Sequence, residues 1–375
     1  MDQHPYNKGS SDQKVLILIP GKNARGGITN YYDSIRKHFP SNIIYFYRGS
    51  RNWPNRSSKI AEFYRIINDY LLFLYNILGN KISLVQTTTS FLPESLIRDG
   101  IFIIISKLFQ KKVIVFFRGW NNDFAHNLSG FRLKIFKLLF FKADAIVDLS
   151  IANIEYLVEL GYKKELFLET TLVDVNLVNG INIDQLIDQR ISQKEKTILF
   201  LSRLERAKGI YKILYAFDEI KKNHPGLKLI FAGDGSEDKN LRNEIARLKI
   251  RDVDLMGFVS GNQKRQLFER ASLFILLSDS EGMSSAVLEA MSFGLPVITT
   301  NVGGISSVFK NGRNGVLIDQ YDHNDVVNQI NRVLSNRKLY AALGLANYSD
   351  AKEKVWSNIV AKRILKIFDD ISHMV

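Results

Sequence analysis

No cysteine occurs in the 375 residues. That absence excludes a disulfide framework and any thiolate metal site, and it fits a reducing compartment. The six histidines are scattered without ligand-like spacing, and no Asp-x-Asp pair sits in a suitable loop. Neither a bound metal nor a cofactor is therefore expected. No uninterrupted apolar run reaches about 18 residues, so no transmembrane helix is expected. The opening MDQHPYNKGSSDQK is polar and lacks the apolar core of a secretory signal, which points to the cytoplasm.

The length suits two domains rather than one core. With 46% hydrophobic and 24% charged residues the chain is globular rather than disordered. Its net charge is +13. Such an excess favours anionic partners: nucleic acid, phosphorylated ligands or acidic lipid headgroups. The aromatic residues read as core and no nucleic-acid recognition module is visible, so nucleic acid is not expected.

Two segments share one device. KVLILIP (14–20) is a β-rich run followed by a loop with Gly21, Gly26 and Gly27; KTILFLSRL (196–204) is another, followed by ERAKGIYKILYAFDEI, which reads as a helix. Further strand-like runs are KISLVQT, KKVIVFFRG and ADAIVDLS in the first half, then LKLIFAGDG, VDLMGFV, ASLFILLS, LPVITT and GVLID in the second. Unbroken Val/Ile/Leu strands separated by helices predict parallel sheets covered on both faces. The expected fold class is α/β, with two doubly wound Rossmann-like domains and ligands at the carboxyl ends of the strands. The expected division is a first domain over 1–173, a polar linker over 174–195 and a second domain over 196–349. An amphipathic helix within 350–375, carried by Val355, Ile359, Ile364, Leu365 and Phe368, is expected to pack back on the first domain.

The chemistry concentrates in SDSEGMSSAVLEAMSFGLPVITT, from Ser278 to Thr300. A strand should end near Ser278 and a helix should begin near Met283–Ser285. The N–H groups of its first turn, at Ser284 and Ser285, make an anion site. Small residues there let a diphosphate approach the backbone. Glu281 precedes the turn and Glu289 sits on the helix, about two turns in. Carboxylates accept paired hydroxyls, so one acid suits a sugar ring and the other a ribose.

The spacing EGMSSAVLE and the continuation AMSFGLPVITTNVGGISSVFKNGRNGVLID resemble the E-x7-E segment of retaining GT-B glycosyltransferases, in particular glycosyltransferase family 4 (group 1). The resemblance is strong over roughly 195–335 and weak before that. It implies the GT-B fold, with two domains facing a central cleft, and a nucleotide-sugar donor, UDP being favoured over GDP and ADP. Glu281 would contact the hydroxyls of the transferred sugar, the backbone of Gly282, Met283, Ser284 and Ser285 the sugar and diphosphate, and Glu289 the ribose. Arg203 and Lys208 match the basic pair that grips the diphosphate. Gly233 and Asp234 match the turn lining the donor cleft, and Gly257, Phe258 and Val259 the stretch that reads the nucleobase. GKNARGGI (21–28), with Gly26 and Gly27, resembles the N-terminal glycine loop that approaches the donor phosphates. It is not G-x-G-x-x-G, so a dinucleotide is not expected. Departing diphosphate builds charge that a fixed Arg, a fixed Lys and helix-end N–H groups stabilise, so no metal is required.

The first half departs from the family. Where many of these enzymes carry a His-Gly pair, this chain reads VFFRGWNND, with Arg118 and no histidine. Arg118 is a candidate for an acceptor or donor phosphate, and Asp123 for an acceptor hydroxyl. Two further stretches, IAEFYRIINDYLLFLYNIL (60–78) and the basic–aromatic GFRLKIFKLLFFKADAI (130–146), suit either core helices or the inner face of an anionic membrane. The resulting expectation is a metal-independent hexosyltransferase that retains anomeric configuration and acts on a glycan or lipid-linked saccharide, in polysaccharide or lipopolysaccharide assembly. A nucleotide-sugar epimerase on the same scaffold and a non-catalytic nucleotide-sugar-binding subunit remain as alternatives.

Overall fold

The computed structural model describes residues 14–21, 26–49 and 58–374. The chain divides into two compact units, Met1–Glu169 with Ala361–Val375, and Thr170–Val360.

In the first unit the strands are β1 Lys14–Pro20, β2 Ile43–Arg48, β3 Ile82–Phe91, β4 Lys112–Trp120, β5 Ala145–Asp148 and β6 Glu165–Leu168. All pair in parallel, in the order β2-β1-β3-β4-β5-β6. Parallel neighbours need crossover connections, and helices supply them: α1 Gly27–Ile35, α2 Lys59–Gly79, α3 Pro93–Leu108, α4 Asn122–His126, α5 Gly130–Phe140 and α6 Ile151–Glu159. Val15 through Ile19 are all buried, as a strand covered on both faces requires.

The second unit repeats the plan with β7 Lys196–Leu201, β8 Leu227–Ala232, β9 Val253–Gly257, β10 Leu273–Leu276, β11 Val297–Thr300 and β12 Gly315–Ile318. Their parallel order is β12-β11-β10-β7-β8-β9. The helices are α7 Ile183–Ser192, α8 Ile210–Lys221, α9 Asp238–Leu248, α10 Gly261–Arg270, α11 Ser285–Ser292, α12 His323–Ser335, α13 Arg337–Lys354 and α14 Ser357–His373. The last of these crosses from the second unit into the first at Ala361.

Four local expectations change. Strands β2 (IIYFYR) and β6 (ELFL) were not among the runs read from the sequence; β6 is a short, largely exposed edge strand with little pattern to read. The segment read as a linker, 174–195, carries α7, capped by Asn182, whose side chain accepts a hydrogen bond from the Gln185 N–H at 3.1 Å. Ile187 and Arg190 on it are buried in the second unit, and the Arg190 guanidinium donates to the carbonyls of Phe293 and Phe268, both at 2.7 Å. The closing amphipathic helix is two helices, α13 and α14, interrupted at Val355 and Trp356. The buried face of α14 runs through Val360, Ala361, Ile364, Ile367, Phe368 and Ile371, so it is shifted from the one expected. Lastly, the helix expected after KTILFLSRL is split. Arg206–Lys208 form a single 3-10 turn, and Gly209 at φ +75° starts α8 in a new direction.

Candidate active site

The parallel sheet of the second unit points its strand ends toward one set of loops. The loop after β7 is tied to those after β8 and β9 by backbone hydrogen bonds. The Ser202 N–H donates to Ala232 O at 3.1 Å, Leu204 N–H to Asp234 O at 2.8 Å and Gly233 N–H to Gly257 O at 2.7 Å. Gly233, Asp234 and Gly257 therefore sit side by side at one edge of this loop cluster. Beside them Phe258 is exposed, while Val259 is buried.

Across the sheet, β10 lies next to β7, so the Lys208 turn meets the Glu281 loop. The Lys208 Nζ is 2.8 Å from Glu281 Oε1 and 3.3 Å from the Ser280 carbonyl. The Ser278 hydroxyl donates to the same Oε1 at 2.9 Å. Both contacts fall on one carboxylate oxygen. Lys208 is mostly enclosed and Glu281 only partly, with side-chain exposures of 10% and 18%. A cation and an anion buried together need each other, because either alone faces an uncompensated desolvation cost.

Two glycines make this approach possible. A Cβ on Gly209 would lie 2.3 Å from the Leu277 carbonyl oxygen, so only glycine lets the Lys208 turn lie against the end of β10. A Cβ on Gly303, at φ +65°, would lie 2.2 Å from the Glu281 carbonyl oxygen. The neighbouring Gly304 N–H donates to Gly282 O at 2.7 Å and holds the acidic loop from the other side.

Met283 is buried, and its Sδ accepts from the Thr171 N–H at 3.3 Å. Ser284 is the N-cap of α11 rather than part of its first turn, and its hydroxyl accepts from the Val287 N–H at 3.5 Å. Ser285 opens the helix, where first-turn N–H groups lack partners within the helix and carry partial positive charge. Glu289 lies just over one turn in, closer to the helix start than expected, and pairs with Lys264 of α10 at 2.6 Å.

Arg203 stands apart from this cluster. Its side chain is 67% exposed and pairs with Glu205 of its own loop at 2.7 Å. Sequence reasoning missed two participants. Ser278 lay inside the quoted string, where a serine before an acid carries no distinctive signal. Lys264 gave none, because a lysine on a helix surface is ordinary until its partner is known.

The first unit holds the remaining candidates. Gly26 caps α1 and Gly27 opens it, directly after β1, with open space where a Cβ would stand on either. Residues 22–25 of the same glycine loop lie outside the described residues. Arg118, at the end of β4, stacks its guanidinium 3.9 Å from the Tyr31 ring centroid. Burial lowers its pKa, opposed chiefly by Tyr31. Asp123 is exposed on the short helix α4.

Asp148, which the sequence did not flag, ends β5. It is buried, and its Oδ1 accepts from the Ser150 N–H at 2.9 Å and from the Asn153 side chain at 2.8 Å. Burial raises its pKa to about 7, against the lowering effect of these hydrogen bonds. The folded state thus holds this proton where the unfolded chain has lost it. Its contribution is complete below the unfolded carboxyl pKa and is lost as pH rises to about 7. The loss is on the order of 4 kcal/mol. Asp148→Asn keeps the accepting oxygen and removes the titration. Thermal unfolding of this variant should show a smaller decline in stability between pH 4 and pH 8 than the parent shows.

Among the described residues no cluster of three His, Asp or Glu side chains is placed to hold a metal. No helix among them is long and apolar enough to cross a membrane.

Residues 183–350 match the sequence model of the glycosyl transferases group 1. An uncharacterized glycosyltransferase of Methanocaldococcus jannaschii is 31% identical over 180 residues, covering 48% of this chain and 46% of the relative. The N-acetyl-alpha-D-glucosaminyl L-malate synthase of Bacillus anthracis is 29% identical over 181 residues, covering 48% and 46%. The chain thus spans about half the length of these curated relatives. The crystal structure of Anabaena HepE in complex with UDP superposes with a TM-score of 0.76 at 17% identity, over 96% of this chain and 100% of that one. The fold of both units is that of GT-B glycosyltransferases, and residues 183–350 are similar to the glycosyl transferases group 1.

Proposed function

We propose that the chain transfers a hexose-type sugar from a nucleotide diphosphate sugar to a hydroxyl of a glycan or lipid-linked saccharide, in polysaccharide or lipopolysaccharide assembly. The observation that carries this reading is the Lys208–Glu281 pair at 2.8 Å, set at strand ends beside the start of α11. An incoming diphosphate is a stronger partner for Lys208 than one carboxylate, since it offers more charge and more acceptor oxygens. Its arrival frees Glu281 to accept sugar hydroxyls, with Ser278 still orienting one oxygen. The first turn of α11 takes the remaining phosphate charge, and Arg203, exposed and paired with Glu205, leaves that partner to join it. Glu289, fixed by Lys264, holds the ribose hydroxyls. Gly233, Asp234 and the Gly257–Val259 stretch line the nucleoside side. Arg118 and Asp123 of the first unit are assigned to the acceptor. UDP is the favoured nucleotide, a choice supported by the UDP in the HepE complex.

In this reading the reaction retains anomeric configuration and needs no metal. The acceptor oxygen bonds to the anomeric carbon on the face from which the diphosphate leaves. As the carbon–oxygen bond to the phosphate breaks, the departing phosphate oxygen takes the acceptor proton. Lys208, Arg203 and the helix-end N–H groups stabilise the charge where it develops. The test is UDP release from UDP-glucose or UDP-N-acetylglucosamine with chelator present, and the anomeric coupling of the product by NMR. Unchanged release and an α-linked product from the α-linked donor are expected. Loss of release on chelation, restored by a divalent cation, would overturn the metal-free assignment; a β-linked product would overturn retention.

A further inference from the structure

Helix α2 has two apolar faces. One packs inward through Phe73 and Ile77, which are buried. The other runs through Ile60, Tyr64, Ile67, Leu71, Tyr75 and Leu78, and it is exposed, with Tyr64 at 68%, Leu71 at 61% and Tyr75 at 73%. At 100° per residue these six positions fall within a narrow stripe about 27 Å long. Glu62 and Asp69 lie on the opposite side of the helix. They are engaged there, Glu62 with Arg65 at 3.1 Å and Asp69 with the Gly49 N–H at 2.9 Å. A helix of a soluble monomer normally turns such a stripe inward; here it faces out.

The stripe continues beyond α2. Strands β2 to β3, β3 to β4 and β4 to β5 all advance in the same direction across the sheet. Right-handed crossovers therefore put α2, α3 and α5 on one face, and α3 packs against both of the others. On that face α3 exposes Ile97 and Leu108, and α5 exposes Phe131 and Leu138. Between Phe124 and Ala143 there is no acidic residue, while Arg132, Lys134, Lys137 and Lys142 lie there. Arg132, Lys134 and Lys142 are exposed.

We infer that the α2–α3–α5 face of the first unit docks on an anionic lipid bilayer, with the α2 stripe entering the headgroup–acyl boundary and the α5 cations meeting lipid phosphates. Tyrosine and phenylalanine suit that boundary because they join an apolar body to a polar or polarisable edge. A second copy of the chain fits less well. The α2 spacing alone would suit a partner helix, but the apolar surface spreads over three helices. An isologous contact over that width also sets one cationic rim against another, with no acid in the 124–143 stretch to pair them. This inference stands on the first unit and is independent of the sugar chemistry proposed for the second.

The experiment is co-sedimentation of the full chain with vesicles of one third phosphatidylglycerol in phosphatidylcholine, with light scattering of the protein alone. The chain should be monomeric, should sediment with these vesicles in about 0.1 M salt and should bind phosphatidylcholine vesicles far less. Lys134→Gln with Lys137→Gln should weaken binding about 25-fold. Leu71→Glu should weaken it through the apolar half, and both variants should keep the parent's melting temperature and circular dichroism. A basic chain is attracted to anionic vesicles in any orientation, so Lys239→Gln with Arg251→Gln, two exposed cations of the second unit, serves as the control. Equal weakening by the two cation pairs would overturn the assignment. So would failure to sediment, or a dimer that Leu71→Glu dissolves while vesicles leave the parent in solution.

Discussion

Lys208→Ala and Glu281→Ala should each lower sugar transfer by about 10²–10³-fold while circular dichroism and the melting transition persist. The two side chains meet at 2.8 Å in a partly enclosed loop cluster, and the proposed reaction gives each its own task once a donor is bound. Without Lys208, the charge on the departing diphosphate loses its closest fixed cation. Without Glu281, the sugar loses the acceptor that positions it, and Lys208 loses the partner that places it. The double variant should lose much less than the product of the two single losses, because the pair acts as a unit. Multiplicative losses would mean that the residues act independently and that the ion pair is incidental to the reaction. Near-parental turnover in both single variants would remove the pair from the site altogether.

The second large effect is on stability. Arg190→Ala should cost about 3–5 kcal/mol and lower the calorimetric midpoint of the second unit by roughly 10 °C. The Arg190 side chain is fully buried and donates to the carbonyls of Phe293 and Phe268, at 2.7 Å each. Truncation strands both carbonyls and leaves a cavity between α7, α10 and α11. Arg190→Met fills much of the volume without the donors, so it should recover part of the loss. A midpoint unchanged in the alanine variant would show that α7 is not part of the folding unit.

These two residues mark what the sequence made legible. The strands β1 and β10 announced themselves, because strands buried on both faces must be almost continuously apolar. The string around Glu281 and Glu289 was equally clear, since few other backbones need small residues, a helix start and two acids in that order. Arg190 was illegible for the opposite reason. It lies in a stretch rich in Asn, Asp and Gln, and nothing local marks an arginine whose partners are carbonyls 78 and 103 residues away. Lys264 was hidden in the same way, by a partner 25 residues off. Arg203 shows the limit of a motif: the pattern placed it with Lys208, whereas its side chain turns out to solvent and to Glu205. The exposed apolar stripe of α2 fell between these cases. Its composition was visible, but only the fold shows which of its two apolar faces is covered.

The most direct measurement is calorimetric titration of UDP and of UDP-glucose into the parent, Lys208→Ala and Glu281→Ala proteins. Lys208→Ala should weaken both ligands, whereas Glu281→Ala should weaken UDP-glucose more than UDP. If Lys208→Ala binds UDP as tightly as the parent, the phosphate-gripping role assigned to that ammonium group is wrong.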